Sequence, residues 1–281
     1  MGERTLAVFE SEPIIFALFG NPVGHSLSPL MHQAAYREMG LNAVYVPFCV
    51  RDLEAAVRGI RGMDIRGVSV TIPFKEEVRK HLDEFEEGSD RIGAVNTVVN
   101  EGGRLRGYNT DWIGFVRDLK EWMPIQGRTF GVLGAGGGAR AVLFGILSAG
   151  GKPVILNRTA ARGEALAKEF GCSFLPLSEI RALEADCLVN TTSAGMAPQV
   201  NRSPVEGRDL DKFTWVVDIV YNPLETKLLQ DARMAGCHTR SGLGMFVHQG
   251  AEQIRLWTGA EPPVESMKRA VRQRLEKNEK N

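Results

Sequence analysis

The sequence predicts an α/β protein of two domains: an N-terminal, mostly parallel α/β domain completed by C-terminal helices, and a Rossmann-like nucleotide domain between them. Three observations carry this. Apolar runs alternate with helix-period segments along most of the chain, the pattern of strands covered by helices. A glycine-rich turn, Gly134-Ala135-Gly136-Gly137-Gly138-Ala139, follows the apolar run Phe130-Gly131-Val132-Leu133. The chain has 281 residues, more than one small core needs, and suits two domains of ordinary size. The expected division places residues 1–111 and 243–281 in one domain and 112–242 in the other.

In order, residues 14–19 read as a strand and 29–39 as a helix, begun by Ser28 as cap and Pro29 at the first helical position. Residues 44–50 follow as a strand, 52–61 as a helix, and 67–71 as a strand leading into a helix from about residue 73. The helical stretch 112–122 joins the domains, and Pro124-Ile125-Gln126-Gly127 breaks the chain after it. Strand 129–133, helix 138–149 and strand 153–156 form a βαβ unit, which strands near 187–190 and 215–219 extend. Two helices, 245–257 and 265–276, lie beyond the last of these strands and are expected to return to the first domain. The final residues, 277–281, read as frayed and solvated.

The 34 basic and 34 acidic side chains cancel, so no global field draws the chain to nucleic acid or to an anionic membrane. An anionic ligand must be held by local chemistry. Cys49, Cys172, Cys187 and Cys237 are far apart and form no C-x-x-C pair, which predicts free buried thiols in a reducing cytoplasm. The first 13 residues alternate charge with apolar side chains and lack a signal-peptide core. No stretch approaches the ~18–20 uninterrupted apolar residues needed to span a bilayer, so a soluble protein is expected, taken as a monomer or homodimer.

The glycine turn sits between a strand and a helix, where Gly134 and Gly136 permit close approach of backbone to a pyrophosphate and Ala139 packs the helix. The N–H groups of Gly137 and Gly138 at that helix start favour phosphate. The next strand ends in Asn157-Arg158-Thr159, with no carboxylate for a ribose hydroxyl. Arg158 can instead face a 2′-phosphate, Asn157 and Thr159 can donate to it, and Arg162 adds a second positive group one turn on. A charge-assisted contact of this kind is worth about 1.5–3 kcal/mol, which predicts NADP rather than NAD. Capping of the next helix by Asn157 or Thr159 is compatible with that role.

Upstream, Ser26 and Ser28 place two hydroxyls beside a helix start, a seat for a carboxylate. Lys75 falls in the first turn of the helix expected from residue 73, where the macrodipole opposes a cation. A lysine held there should part with its proton more readily, as proton transfer requires. Asp111 precedes a helical stretch and fits an N-terminal cap as well as a catalytic acid. Asn96-Thr97 fits a ligand contact and a strand-end pair equally. A dinucleotide site beside a pocket of hydroxyls, an ammonium and a carboxylate reads as an oxidoreductase for a small polar acid.

Nine segments taken together resemble the shikimate dehydrogenase family, in its motif order and over essentially the whole chain. They are GNPVGHSLSP (20–29), VSVTIPFK (68–75), GAVNT (93–97), NTD (109–111), GAGGGA (134–139), NRT (157–159), NTTSAGM (190–196), DIVYNP (218–223) and GLGMFVHQG (242–250). The resemblance implies reversible NADPH-dependent reduction of 3-dehydroshikimate to shikimate, in aromatic amino acid biosynthesis. It implies that Ser26 and Ser28 hold the substrate carboxylate, and that Thr71, Lys75, Asn96, Asp111 and Gln249 contact the ring hydroxyls and carbonyl, with Tyr221 close by. Lys75 and Asp111 become the acid/base pair; Thr191, Gly242 and Met245 join the cofactor contacts; and no metal is called for. The family pattern commonly has Asn where this chain has Ser69, a shorter side chain with one fewer donor. A quinate/shikimate dehydrogenase of broader use and a non-catalytic ligand sensor are the competing expectations. The cleft between the domains is expected to close when both ligands bind.

Overall fold

The computed structural model describes residues 12–279. The expectations for residues 1–11 and 280–281 lie outside the described residues. Two six-stranded sheets are formed in succession along the chain.

The first sheet holds β1 (Ile14–Gly20), β2 (Ala43–Cys49), β3 (Gly67–Val70), β4 (Glu84–Phe85), β5 (Thr97–Glu101) and β6 (Arg104–Tyr108), in the order β2-β1-β3-β5-β6-β4. Helices α1 (Ser28–Glu38), α2 (Leu53–Gly62) and α3 (Glu87–Ile92) alternate with them. The β1–β2, β1–β3 and β4–β6 pairs are parallel, as the alternation predicts. An antiparallel hairpin, β5–β6, is not among the expected elements and makes the sheet mixed. Its turn is Gly102-Gly103, both at positive φ (62° and 93°), which matches the twist of a tight hairpin.

Two local expectations are corrected. No α-helix starts at Pro73. Residues 71–74 close a turn, with Phe74 N donating to Thr71 O at 2.9 Å, and a short 3-10 segment follows at Glu77–His81. The Lys75 carbonyl accepts from Val95 N at 2.7 Å, so a neighbouring loop takes the group a helix would use. Ser28 is likewise not the cap of α1. It is the first helical residue, and Leu27 at the cap position supplies no side-chain bond.

The second sheet holds β7 (Thr129–Leu133), β8 (Lys152–Asn157), β9 (Ser173–Pro176), β10 (Cys187–Asn190), β11 (Trp215–Asp218) and β12 (His238–Ser241). Every pair is parallel, in the order β12-β11-β10-β7-β8-β9. This is the doubly wound nucleotide-binding order, whose ligand crevice opens at the carboxyl ends of the strands where the winding reverses. Here that point lies between β7 and β10. Helices α5 (Gly137–Ser148), α6 (Ala160–Phe170) and α7 (Lys227–Met234) complete the unit.

The chain passes from one sheet to the other through α4 (Asp111–Lys120) and returns from β12 into α8 (Leu243–Thr258), with α9 (Val264–Glu279) last. A Cβ on Gly114 of α4 would sit 2.6 Å from the Met245 carbonyl oxygen, and one on Gly244 of α8 would overlap the Asp118 carboxylate. Glycine at both positions lets the two helices touch. Returning helices α8 and α9 fill the core of the first sheet: Val247, Ile254, Met267, Val271 and Leu275 pack with Phe16, Met31 and Tyr36. Burial of each such side chain stabilises by about 1.5–3 kcal/mol.

All four cysteines are free; Cys187 and Cys237 are buried, Cys172 is half-buried and Cys49 is exposed, contrary to the expectation of burial for all. Among the described residues, no helix is long and apolar enough to cross a membrane.

Candidate active site

Residues far apart in sequence converge where β3, β5, α4 and α8 meet. Lys75, on the turn after β3, reaches Asp111 at the start of α4, with Nζ 2.6 Å from Oδ2. Asp111 is 9 % exposed and Lys75 20 %, so the pair is shielded yet open on one side. Because Lys75 is not in a helix, the macrodipole argument falls, and the carboxylate is what places the ammonium. Asp111 lies in the first turn of α4, with Thr110 at the cap position. That position suits an acid.

The other Asp111 oxygen accepts from Asn96 Nδ2 at 2.9 Å, and its backbone N–H donates to Asn109 Oδ1 at 3.1 Å. Asn96 Nδ2 also lies 3.4 Å from Gln249 Oε1, which brings α8 into the site, and Gln249 Nε2 donates to Phe246 O at 2.8 Å. Ser26 and Ser28 have their hydroxyls 3.2 Å apart at the start of α1. Tyr221, just beyond β11, stacks on Phe246 with ring centroids 4.0 Å apart. Burial pushes its phenol pKa up, offset in part by hydrogen bonds with Leu27 and Ser26. A residue following the second sheet thus touches the hydroxyl seat of the first. Thr71 follows β3 and packs its methyl against Gly20.

Across the cleft, Gly134 adopts φ +113°, and a Cβ there would lie 2.8 Å from Thr191 Oγ1. The turn is therefore closed against the loop after β10. A Cβ on Gly136 would meet nothing within 4 Å, which leaves open space above the start of α5. Gly138 faces Ile219, Ala139 is fully buried, and Ala135 packs at the edge of the same core. A Cβ on Gly137 would lie 3.5 Å from Cβ and Cδ of Lys75, so the phosphate turn and the Lys75–Asp111 pair face each other.

The remaining cofactor candidates divide. Arg158 and Arg162 are exposed and, among the described residues, have no ion-pair partner. Arg158 borders a cavity of about 460 Å³ that includes Leu177, Arg181 and Arg208. Asn157 turns its amide onto Thr159 O at 2.8 Å, and Thr159 stands at the cap position of α6 without a side-chain bond. Thr191 donates its hydroxyl to Leu133 O at 2.6 Å. Gly242 presses against the Ile219 carbonyl, and Met245 is buried in the core of the second sheet.

Sequence reasoning misses the buried polar side chains behind the site. Tyr45 OH donates to Ser69 Oγ at 2.6 Å, and Ser69 donates to Gln253 Oε1 at 2.9 Å. Ser69, singled out for its departure from Asn, thus faces inward rather than into the cleft. Asp118, Glu121 and His248 also converge, a set able to hold a cation. The Arg240 guanidinium already lies among them, 2.5 Å from Asp118 and 3.5 Å from Glu121, and ties β12 to α4.

Three family profiles match the chain: a shikimate dehydrogenase substrate binding domain over residues 18–98, a shikimate/quinate 5-dehydrogenase domain over 119–228, and a shikimate 5′-dehydrogenase C-terminal domain over 242–272. The shikimate dehydrogenase (NADP(+)) of Moorella thermoacetica is 46 % identical over 277 residues, covering 93 % of each chain. That of Pyrococcus furiosus is 46 % identical over 270 residues, covering 94 % of this chain and 97 % of its own. Among solved structures, the Thermus thermophilus shikimate 5-dehydrogenase in complex with NADP(H) and shikimate superposes with a TM-score of 0.85 at 40 % identity, covering 92 % of this chain and 99 % of its own.

Proposed function

Because the chain belongs to the shikimate dehydrogenase family, we propose that it catalyses the reversible NADPH-dependent reduction of 3-dehydroshikimate to shikimate, a step toward the aromatic amino acids. The observation that carries this reading is the Lys75–Asp111 pair, 2.6 Å apart, facing the glycine turn across the cleft.

The residues fit the cofactor. Open space above Gly136 and the N–H groups at the start of α5 suit a pyrophosphate, and the unpaired Arg158 and Arg162 suit a 2′-phosphate. When bound, NADPH supplies the hydride. Ser26 and Ser28 hold the substrate carboxylate, with Tyr221 against Ser26. Thr71, Asn96 and Gln249 contact the ring oxygens. Lys75 gives its proton to the carbonyl oxygen as negative charge develops there, and its ammonium stabilises that charge until the proton moves. Asp111 orients the ammonium and, in the reverse direction, helps draw the hydroxyl proton away. General acid catalysis of this kind contributes roughly 10²–10⁴-fold, or about 3–5 kcal/mol of barrier. Thr191, Gly242 and Met245 shape the nicotinamide end.

Residues 1–111 with 243–281 act as the substrate-binding part and 112–242 as the cofactor part. Free thiols support a cytoplasmic setting, and the balanced charge supports a protein without nucleic acid or membrane partners, which we take as a monomer or homodimer.

The test is absorbance at the NADPH band with shikimate or quinate, each with NADP⁺ or NAD⁺. Rapid turnover of shikimate with NADP⁺ is expected. Comparable turnover of quinate or NAD⁺ would move the protein to a broader dehydrogenase, and no turnover in any combination would overturn the reading.

A further inference from the structure

A run of buried hydrogen bonds joins Tyr45 to Asp111, and its direction is set at two points. The Thr110 backbone N–H can only donate, and it donates to Asn96 Oδ1 at 2.7 Å. Asn96 must therefore turn its NH₂ toward Asp111, whose Oδ1 lies 2.9 Å away. The Asn96 carbonyl can only accept, and it does so from Gln253 Nε2 at 3.3 Å. That bond turns Gln253 Oε1 toward Ser69.

The hydroxyls between these anchors then follow, Thr97 taking Asn96 Oδ1 at 2.8 Å over Thr110 Oγ1 at 3.3 Å as its acceptor. Thr97 accepts from Gln253 Nε2 at 2.9 Å and donates to Asn96 Oδ1 at 2.8 Å. Ser69 donates to Gln253 Oε1 at 2.9 Å, so it must accept from Tyr45 OH, 2.6 Å away. The Tyr45 oxygen is left as an acceptor. The donors thus run one way: Tyr45, Ser69, Gln253, Thr97, Asn96, Asp111. Tyr45, Ser69, Gln253, Thr97 and Asn96 are each at most 5 % exposed, so water does not replace a missing partner.

We propose that Ser69 and Gln253 are positioning residues for the reaction: acting through Thr97 and Asn96, they fix the orientation of Asp111. This rests on the reading of Lys75 and Asp111 as the acid/base pair. Neither positioning residue touches substrate. Ser69, where the family commonly has Asn, both accepts and donates in the space of one hydroxyl.

Two measurements test this. In Ser69→Ala, Gln253 Oε1 loses its donor and Tyr45 its acceptor. Turnover of shikimate with NADP⁺ should fall about 5- to 30-fold while the shikimate KM moves less than about threefold. In an Asp111→Asn background the same substitution should cost less than about twofold, because what it positions is already lost. Unchanged kcat, or a full multiplicative loss in that background, would overturn the proposal. The second measurement needs no substrate. In ligand-free, ¹⁵N-labelled protein the Asn96 side-chain NH₂ resonances should shift in Ser69→Ala and in Tyr45→Phe, the variant to use if Ser69→Ala does not fold. Unmoved resonances would sink the proposal even if shikimate were not the substrate. Shifted resonances without shikimate turnover would leave the hydrogen-bond chain standing and remove the assigned reaction.

Discussion

Asp111→Asn removes one charge and almost no volume, and the site makes its cost calculable. The carboxylate has a donor on each oxygen: the Lys75 ammonium 2.6 Å from Oδ2 and Asn96 Nδ2 2.9 Å from Oδ1. An asparagine offers one oxygen and one NH₂. Whichever way it turns, its NH₂ faces a donor, and one bond is replaced by a repulsive contact. Leaving a buried donor unmatched costs about 1–3 kcal/mol, and loss of the first-turn acid of α4 adds about 0.3–1 kcal/mol. At about 2–4 °C per kcal/mol for a chain of this size, the thermal midpoint should drop by several degrees. Turnover should drop much further, by roughly 10²–10⁴-fold, because the partner of the proton-donating lysine is gone. Shikimate KM should change less, since Ser26 and Ser28 are untouched. The assay is steady-state oxidation of shikimate with NADP⁺ beside a circular-dichroism melt. A folded variant turning over within about threefold of the parent would refute the role given to Asp111.

Lys75→Ala should lose about 10²–10⁴-fold in turnover with a smaller loss of shikimate binding by calorimetry; near-full turnover would show that another group supplies the proton. Arg158→Glu should raise the NADP⁺ KM about 10- to 150-fold and leave that for NAD⁺ nearly unchanged, while its exposed position keeps the melting temperature steady; an unchanged cofactor ratio would count against the 2′-phosphate contact. Fully buried His32, with Nδ1 2.9 Å from Ser28 O, has its pKa lowered by desolvation from 6.5 to about 4. The unfolded chain therefore binds its proton first, and roughly 3 kcal/mol of stability present above pH 6.5 is lost as pH falls toward 4. Buried Asp218, raised by desolvation from 3.8 to about 6, acts oppositely, gaining stability as pH falls through 6. Relative to its own value at pH 7, the urea midpoint of His32→Gln at pH 4.5 should thus exceed that of the parent; identical pH slopes would show that His32 is not held neutral.

Much of the fold can be read because it rests on local pattern. The glycine turn, the strands that flank it and the helix after it follow from periodicity, and their observed ends differ from expectation by a residue or two. The β5–β6 hairpin also has a local signal, Gly102-Gly103 between Val98-Val99 and the alternating Arg104-Leu105-Arg106, which attention to Asn96-Thr97 alone passes over. Pro73 misleads because a proline suits both a helix start and a turn. The choice is made by Val95 N, a donor from another loop that captures the Lys75 carbonyl. Within the site, Lys75 and Asp111 are found by residue type and resemblance, whereas their supports are not. Ser69 and Gln253 are 184 residues apart, and no periodicity links a strand residue to the helix that later covers it. Their contact exists only because the chain returns.

That return has a consequence for how the protein is made. Phe16, Met31 and Tyr36 leave the ribosome early, yet Val271 and Leu275, which complete their core, are synthesised long after them. At 5–20 residues per second, β1 and β2 wait roughly ten to fifty seconds for the helices that cover them. The second sheet has its own core, built from residues between Phe130 and Cys237, and can close during that interval. The order of completion therefore reverses the order of synthesis. In a growing cell the exposed early strands are the part of this chain that needs sheltering, and a truncation that removes Val271 and Leu275 would strand the oldest part of the protein.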